Sequence, residues 1–260
     1  MAVSFKNPPI HEVALGYSFL ARPDLLVPYL GQFWAEIQGE YPKCQHAAPI
    51  VDNSNFDPIG EFPLPRLWFT SEDGSRLVQL QQDRLIFNWR DIGRDEPYVR
   101  FPAIRAEFER IQRIFETYVQ RVTGQAIHPA GFILTYVNII KRTEGWPSFG
   151  EVGEVIPDLR WRDEKRFLPP PSELSWVAKF NLPNDFGALT ADVRPAKVAT
   201  SNEPVLRFEL AANSGSLGGR AIGFSDWVEV AHHWIVHAFK DLTADKMHSK
   251  VWLVEEAGEP

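Results

Sequence analysis

This sequence has almost no cysteine, no long apolar run and no excess of positive charge. Cys44 is its only cysteine in 260 residues, which excludes an intrachain disulfide and a zinc site built from several cysteines. The 27 Lys and Arg residues face 34 Asp and Glu residues, and the net charge of −7 disfavours nucleic acid or an anionic membrane as partner. No stretch approaches the roughly 18 uninterrupted apolar residues of a membrane span, and the first residues, MAVSFKNPPI, lack the layout of a signal peptide. We therefore expect a cytoplasmic protein without a membrane partner.

Apolar residues are plentiful, and three segments space them as amphipathic helices do. They make up 44% of the chain, and its nine Trp residues help to fill a core that needs no disulfide or structural metal. The clearest helix covers Phe101–Val122, where apolar residues recur at steps of three and four. Similar spacing predicts helices over Asp24–Gln38 and Ser225–Leu242, the second of them capped by Ser225 or Asp226.

Strand patterns fill most of the remaining sequence. Runs rich in β-branched and aromatic residues predict strands at His11–Phe19, Arg66–Ser71, Arg76–Gln81, Leu85–Arg90, Phe132–Ile140, Trp176–Asn181, Gly187–Val193 and Val205–Ala212. Residues 10–123 thus read strand, helix, three strands, helix, and residues 130–245 repeat this order with a short helix at Gly150–Leu159. We predict an α+β fold of two pseudo-repeated strand–helix–three-strand–helix units, whose antiparallel meanders are backed by helices. The two halves, residues 1–125 and 126–260, are expected to form one compact unit.

Two asparagines lie inside the most apolar strands. Asn88 is in LIFNWR and Asn138 is in LTYVNII, so each amide is flanked by apolar neighbours. A buried amide without partners costs about 1–3 kcal/mol, so each needs hydrogen bonds. Two interpretations stay open: the amides bond to a bulge or neighbouring loop, or they form the polar floor of a groove.

The last helix carries three histidines with different expected roles. His232 falls in its apolar stripe, where it is either a packed core residue or a proton carrier that contacts a ligand. His233 and His237 are four residues apart, a spacing that suits a zinc pair. The residue after His233 is Trp234 rather than the glutamate of the metalloprotease pattern, so these two histidines are weak metal candidates. We predict no metal and no cofactor.

A glycine-rich connection, Asn213–Asp226, leads from a predicted strand into this helix. Free backbone N–H groups at a helix N-terminus can bind phosphate, and Arg220 would add positive charge. The glycines do not follow the spacing of the known phosphate-binding motifs, so a flexible surface loop is the other interpretation.

Segments in this order resemble a known family. They are PPIHEVALGYSF, LGQFWAEIQGEYP, DGSRLVQLQQDRLIFNWR with YVRFPAIRAEF, LTYVNII, and DWVEVAHHWIVHAFKDLT. The family is a sporadically distributed prokaryotic one of about this length, with no established activity or cofactor. His232, Ile235 and Phe239 match its pattern in the last helix, whereas Gly215–Gly223 has no counterpart. The scattered distribution implied by the resemblance suits cargo of mobile elements, in a toxin–antitoxin or phage-defence setting.

The combined observations predict a non-catalytic binding or regulatory protein with a protein partner. The alternative is a small-molecule binding module, with its ligand in a groove between the halves near Trp89, Tyr136 and His232. A hydrolase that uses histidine and carboxylates is the third hypothesis. The candidate residues for ligand or partner binding are Asn88, Trp89, Tyr136, Asn138, Arg220 and His232.

Overall fold

The chain folds into strands and helices that form an α+β protein. The computed structural model describes residues 3–22, 24–50, 65–93, 98–162, 165–198, 200–218, 220 and 222–256. The strands are β1 (Val3–Phe5), β2 (Ile10–Phe19), β3 (Lys43–Ala47), β4 (Arg66–Thr70), β5 (Arg76–Gln81), β6 (Arg84–Arg90), β7 (Pro129–Lys141), β8 (Trp176–Asn181), β9 (Ala188–Lys197), β10 (Pro204–Asn213) and β11 (Val254–Glu256). The α-helices are α1 (Val27–Ile37), α2 (Phe101–Thr123), α3 (Phe224–Leu242) and α4 (Asp245–Lys250).

Nine of the strands form one antiparallel sheet. Their order is β3-β4-β5-β6-β2-β7-β10-β9-β8, and β1 pairs separately with β11. The predicted α+β class with antiparallel meanders is confirmed. The first strands of the two predicted halves, β2 and β7, pair at the centre of the sheet, with Leu15 opposite Leu134. The predicted boundary at residues 125 and 126 falls between α2 and β7.

Helices α1, α2 and α3 pack on one face of this sheet, which we call the covered face. Ring contacts join α1 to β4 (Phe33–Phe69), α2 to β2 (Tyr17–Phe108) and α3 to β10 (Phe208–Phe239). The sheet residues in these contacts alternate with residues that point to the other side, which we call the opposite face. The hydrophobic core therefore lies between the sheet and the three helices.

Helix α2 shows how local sequence produces this packing. Pro102 lies in its first turn, where a missing N–H costs nothing, and Gly124 ends it in the left-handed conformation with φ of 72°. The residues buried along the helix are Phe101, Ile104, Phe108, Ile111, Phe115, Tyr118 and Val119. Six of these seven keep the predicted steps of three and four, and Val119 is also buried, whereas Val122 is only partly buried.

Several local predictions are wrong, each for a physical reason. Strand β3 was not predicted, because Lys43–Ala47 is polar and exposed and lacks apolar alternation. The predicted helix at Gly150–Leu159 is instead two 3-10 segments, in a sequence whose glycines and proline disfavour an α-helix. Helix α3 begins after Gly223 rather than after a Ser225 or Asp226 cap. The Ser225 hydroxyl accepts a hydrogen bond from Arg105 of α2 (2.8 Å).

Among the described helices, none is both long and apolar enough to cross a membrane.

Candidate functional site: the Trp89 cleft

The two asparagines that look alike in the sequence lie on opposite faces of the sheet. Asn138 shares the covered face with Tyr136 and is 2% exposed. Its Nδ2 donates to the carbonyl oxygen of Phe208 on the neighbouring strand β10 (3.1 Å). The amide therefore has a backbone partner inside the sheet.

Asn88 lies on the opposite face, is 3% exposed and belongs to a chain of side-chain hydrogen bonds. The indole Nε1 of Trp68 donates to Gln79 Oε1 (3.1 Å), and Gln79 Nε2 donates to Asn88 Oδ1 (2.6 Å). Asn88 Nδ2 then donates to the carboxylate of Glu12. The chain crosses the adjacent strands β4, β5, β6 and β2, so it fixes the orientation of both buried amides.

Trp89, Tyr136 and His232 all belong to one aromatic cluster on the covered face. Trp89 contacts Tyr98 edge to face with ring centroids 5.2 Å apart, and the Tyr98 and Tyr136 hydroxyls lie 3.4 Å apart. His232 stacks on Phe101 with a centroid separation of 4.0 Å, and its ring lies 6.1 Å from that of Tyr136. Tyr98 and Phe101 thus connect the three predicted residues, although the sequence marked neither as part of a site.

The titrating groups of this cluster are uncharged at neutral pH. Burial lowers the pKa of His232 to about 4 and raises the pKa of Tyr98 to about 12. Burial also raises the pKa of Tyr136 well above its usual value. The His232 ring is half-buried, and within the described part of the chain it has no hydrogen-bond partner. Its surroundings are those of a packed ring rather than of a proton carrier.

The Trp89 cleft lies beside this cluster and is lined in part by Trp89 itself. It has a volume of about 150 Å³ and opens between the start of β5, the end of β6 and the first turns of α2. Its apolar walls include Phe87, Trp89 and Ile104. Its polar lining residues are Ser75, Arg76, Arg90, Asp91 and Glu107. Tyr136 and Asn138 line a separate crevice of about 40 Å³, and His232 lines neither.

Glu107 and Arg76 neutralise each other on one wall of the cleft. The Glu107 carboxylate accepts hydrogen bonds from Tyr41 (2.6 Å) and from Arg110 (2.9 Å), and it lies 3.5 Å from Arg76. Burial alone would raise the pKa of Glu107, but the hydrogen bonds from Arg110 and Tyr41 outweigh it, so the pKa is lowered. Glu107 is therefore a fully engaged carboxylate.

Arg90 is the cation of the cleft that has no such partner. One terminal nitrogen donates to the carbonyl oxygen of Gly74 (3.0 Å). Its Nε is buried without a hydrogen-bond partner, and Arg90 forms no ion pair with any acidic residue that the structure describes. A buried donor without a partner costs free energy, so Arg90 favours an acceptor that enters the cleft. Arg90 could not be singled out from the sequence for this role, because a charged residue commonly ends an apolar strand.

Arg220 is used to fasten the glycine-rich loop. Its guanidinium donates to the carbonyl oxygens of Leu217, Ser214, Ser216 and Asp185. The guanidinium N–H groups that a bound anion would need are therefore already used. Through these bonds Arg220 holds the loop against the turn before β9. Gly219 and Ala221 of the predicted anion-binding loop lie outside the described residues.

His233 and His237 lie side by side on α3. Their ring centroids are 4.2 Å apart, and burial, followed by the charge of His233, lowers the pKa of His237. A zinc site needs further ligands beside such a pair. Over the described ranges, no three His, Cys, Asp or Glu side chains are grouped so that they could hold a metal ion.

A scan against protein-family models finds no match, and a search of curated protein sequences finds no significant match. The family resemblance of the sequence segments therefore stays a prediction, and functional inference rests on the geometry of the cleft.

Proposed function

We propose that this chain is a non-catalytic binding protein whose binding site is the Trp89 cleft. The ligand chemistry that fits is an aromatic or other apolar group that ends in an anion. The observation that carries the proposal is Arg90, which lines the cleft together with Trp89 although the two side chains leave β6 on opposite faces, and whose buried Nε lacks a partner among the described residues.

The size and polarity of the cleft support this ligand class. An apolar cavity of about 150 Å³ holds one benzene-sized ring, and the Trp89 cleft has about this volume. Phe87, Trp89 and Ile104 offer apolar contact to such a ring. Arg90 can then donate to a carboxylate in a charge-assisted hydrogen bond, which is stronger than one between neutral groups.

The polar groups of the cleft support binding rather than catalysis. No histidine is among the residues that line it, and Glu107 already accepts hydrogen bonds from Tyr41 and Arg110. The Ser75 hydroxyl donates to the carboxylate of Asp73 (2.8 Å), without a histidine as general base. No observation favours the hydrolase hypothesis.

The anionic apolar group has two sources, a small molecule or a side chain and carboxylate of a protein partner. A protein partner encoded by a neighbouring gene would suit the toxin–antitoxin or phage-defence setting, which rests on the family resemblance alone. Both sources use the same contacts with Trp89 and Arg90, so one experiment can compare them.

Thermal denaturation with added ligands tests the proposal. Phenylacetate is the small-molecule probe, phenethylamine is its cationic control, and a short peptide ending in Phe with a free carboxylate is the protein-like probe. The phenylacetate or the peptide should raise the Tm, because a ligand that binds only the folded state stabilises it. A larger effect of the peptide would identify a protein source, and a larger effect of phenylacetate a small molecule.

Matched variants show whether the ligand uses the cleft. Arg90→Gln should abolish the rise in Tm, whereas Arg194→Gln, on strand β9 in the other half of the sheet, should retain it. An unchanged Tm with both anionic probes, or an equal rise in Arg90→Gln, would show that the cleft is not such a site.

We also infer that the two halves are copies of one unit. Its support is the strand order outward from the centre, β2-β6-β5-β4 on one side and β7-β10-β9-β8 on the other, with a long helix after each set. The halves differ in two respects: the first half has the additional edge strand β3, and the second half has only 3-10 segments at the place of helix α1. Superposition of residues 10–123 on 130–245 tests the inference. The four strands should align and bring α2 onto α3, and a mismatch of these helices would contradict duplication.

A further inference from the structure

Strand β8 ends the nine-stranded sheet with one side unpaired. Its neighbour is β9, and no other described strand pairs with it. The N–H and C=O groups on its outer side can therefore pair with another strand. Two large apolar residues of β8 are exposed, Val177 at 55% and Phe180 at 38%.

The two edges of the sheet differ in how they discourage pairing. Strand β3, at the opposite edge, has the polar sequence KCQHA, and its Lys43 forms an ion pair with Glu72. Charged and polar side chains on an edge strand oppose association. Strand β8 has the sequence WVAKFN, in which Lys179 is the only charge.

The strand is also held in an extended form before any partner arrives. It pairs with β9 along Trp176–Asn181, and a 3-10 turn at Pro183–Asp185 follows it. The N–H of Leu182 donates to the carbonyl oxygen of Gly187 across this turn (2.9 Å). Little conformational entropy is therefore lost when β8 pairs.

The sequence of β8 is complementary to itself about a two-fold axis. Directly opposite residues in an antiparallel pair point to the same face, so only alternate registers are allowed. With Ala178 opposite the partner's Ala178, Trp176 lies opposite the partner's Phe180, and Val177 lies opposite the partner's Lys179. The contact then contains two cross-strand aromatic pairs, which stabilise antiparallel sheets.

The neighbouring registers are less favourable. A shift that places Lys179 opposite the partner's Lys179 brings like charges together and removes the aromatic pairs. A shift in the other direction, with Val177 at the axis, leaves Phe180 outside the paired region. The register centred on Ala178 therefore pairs the aromatic residues and keeps the two Lys179 side chains apart.

We propose that β8 pairs antiparallel with β8 of a second copy of this chain, with Ala178 on the two-fold axis. The two sheets then join into one that runs through both subunits. The Trp89 cleft, formed by β5, β6 and α2, lies in the other half of each subunit and stays open.

Sedimentation over a range of protein concentrations tests for this dimer. Phe180→Glu should raise the dimer dissociation constant by about tenfold or more, because it places a carboxylate opposite the partner's Trp176. Phe167→Glu is the matched control, since Phe167 is fully exposed and lies outside β8. A monomer at every concentration, or a dimer lost in Phe167→Glu but kept in Phe180→Glu, would overturn the proposal.

Disulfide cross-linking tests the register. In a Cys44→Ala background, Ala178→Cys should form a cross-linked dimer under oxidation, because residues at the axis lie directly opposite their own copies. Lys179→Cys should cross-link far less, since it faces the partner's Val177. Preferential cross-linking of Lys179→Cys, or none in either variant, would refute the pairing, and circular dichroism checks that both variants fold.

Discussion

His232 makes the stability of the protein depend on pH in a direction that the structure defines. Burial lowers its pKa from the usual 6.5 to about 4, while Glu229 opposes this change and His233 adds to it. The folded state therefore binds fewer protons than the unfolded state between these pH values. The stabilisation is present above pH 6.5 and is lost as the pH falls through about 4. At about 1.4 kcal/mol per pKa unit, the loss approaches about 3 kcal/mol.

The variant His232→Phe isolates this effect, because it keeps a ring stacked on Phe101 and removes the titrating group. Urea denaturation followed by circular dichroism gives the free energy of unfolding of both proteins from pH 7.5 to pH 4. We expect the wild type to lose about 3 kcal/mol more than the variant over this range. Parallel pH profiles, or an NMR titration that places the pKa of His232 near 6.5, would refute the reasoning.

Three further variants test the packing and the surface. Phe108→Ala removes a fully buried ring between α2 and the sheet and should lower the free energy of unfolding by about 3–5 kcal/mol in urea denaturation. Asn88→Leu leaves the Gln79 amide without its acceptor and should cost about 1–3 kcal/mol; an unchanged stability would show that the hydrogen-bond chain is unimportant. Replacing both His233 and His237 by Ala should change the free energy of unfolding by less than about 0.5 kcal/mol for each residue replaced. If zinc raised the Tm of the wild type but not of this double variant, the two histidines would be metal ligands after all.

Local patterns in the sequence were sufficient for helices α1, α2 and α3 and for most strands. The apolar residues of α2, among them Phe108, recur with the helical period. The strand predicted at Leu85–Arg90 is observed as β6, which begins one residue earlier. These elements form where propensity and packing agree. Strand β3 could not be predicted from such patterns, because an exposed edge strand needs no apolar side chains.

The faces and the site depend on contacts that local patterns do not contain. Ile86 and Asn88 share a face, so both sides of β6 look apolar in the sequence, and only the sheet order shows which side the helices cover. The Trp89 cleft joins β5, β6 and α2, which are separated along the chain. The hydrogen bonding of Arg90 depends on the position of the Gly74 carbonyl oxygen and on the carboxylates that already pair with other arginines, as Glu107 does with Arg76.

The central claim is that an anionic aromatic group binds in the Trp89 cleft through Arg90. Its most direct test is an NMR titration of the protein with phenylacetate, following the Nε–H signals of Arg90 and Trp89, the first assigned by its loss in Arg90→Gln. Both signals should shift together and saturate with phenylacetate, because the carboxylate becomes the acceptor that the buried Nε lacks. They should stay unchanged with phenethylamine. Signals that do not move with phenylacetate, or that move equally with phenethylamine, would contradict the account.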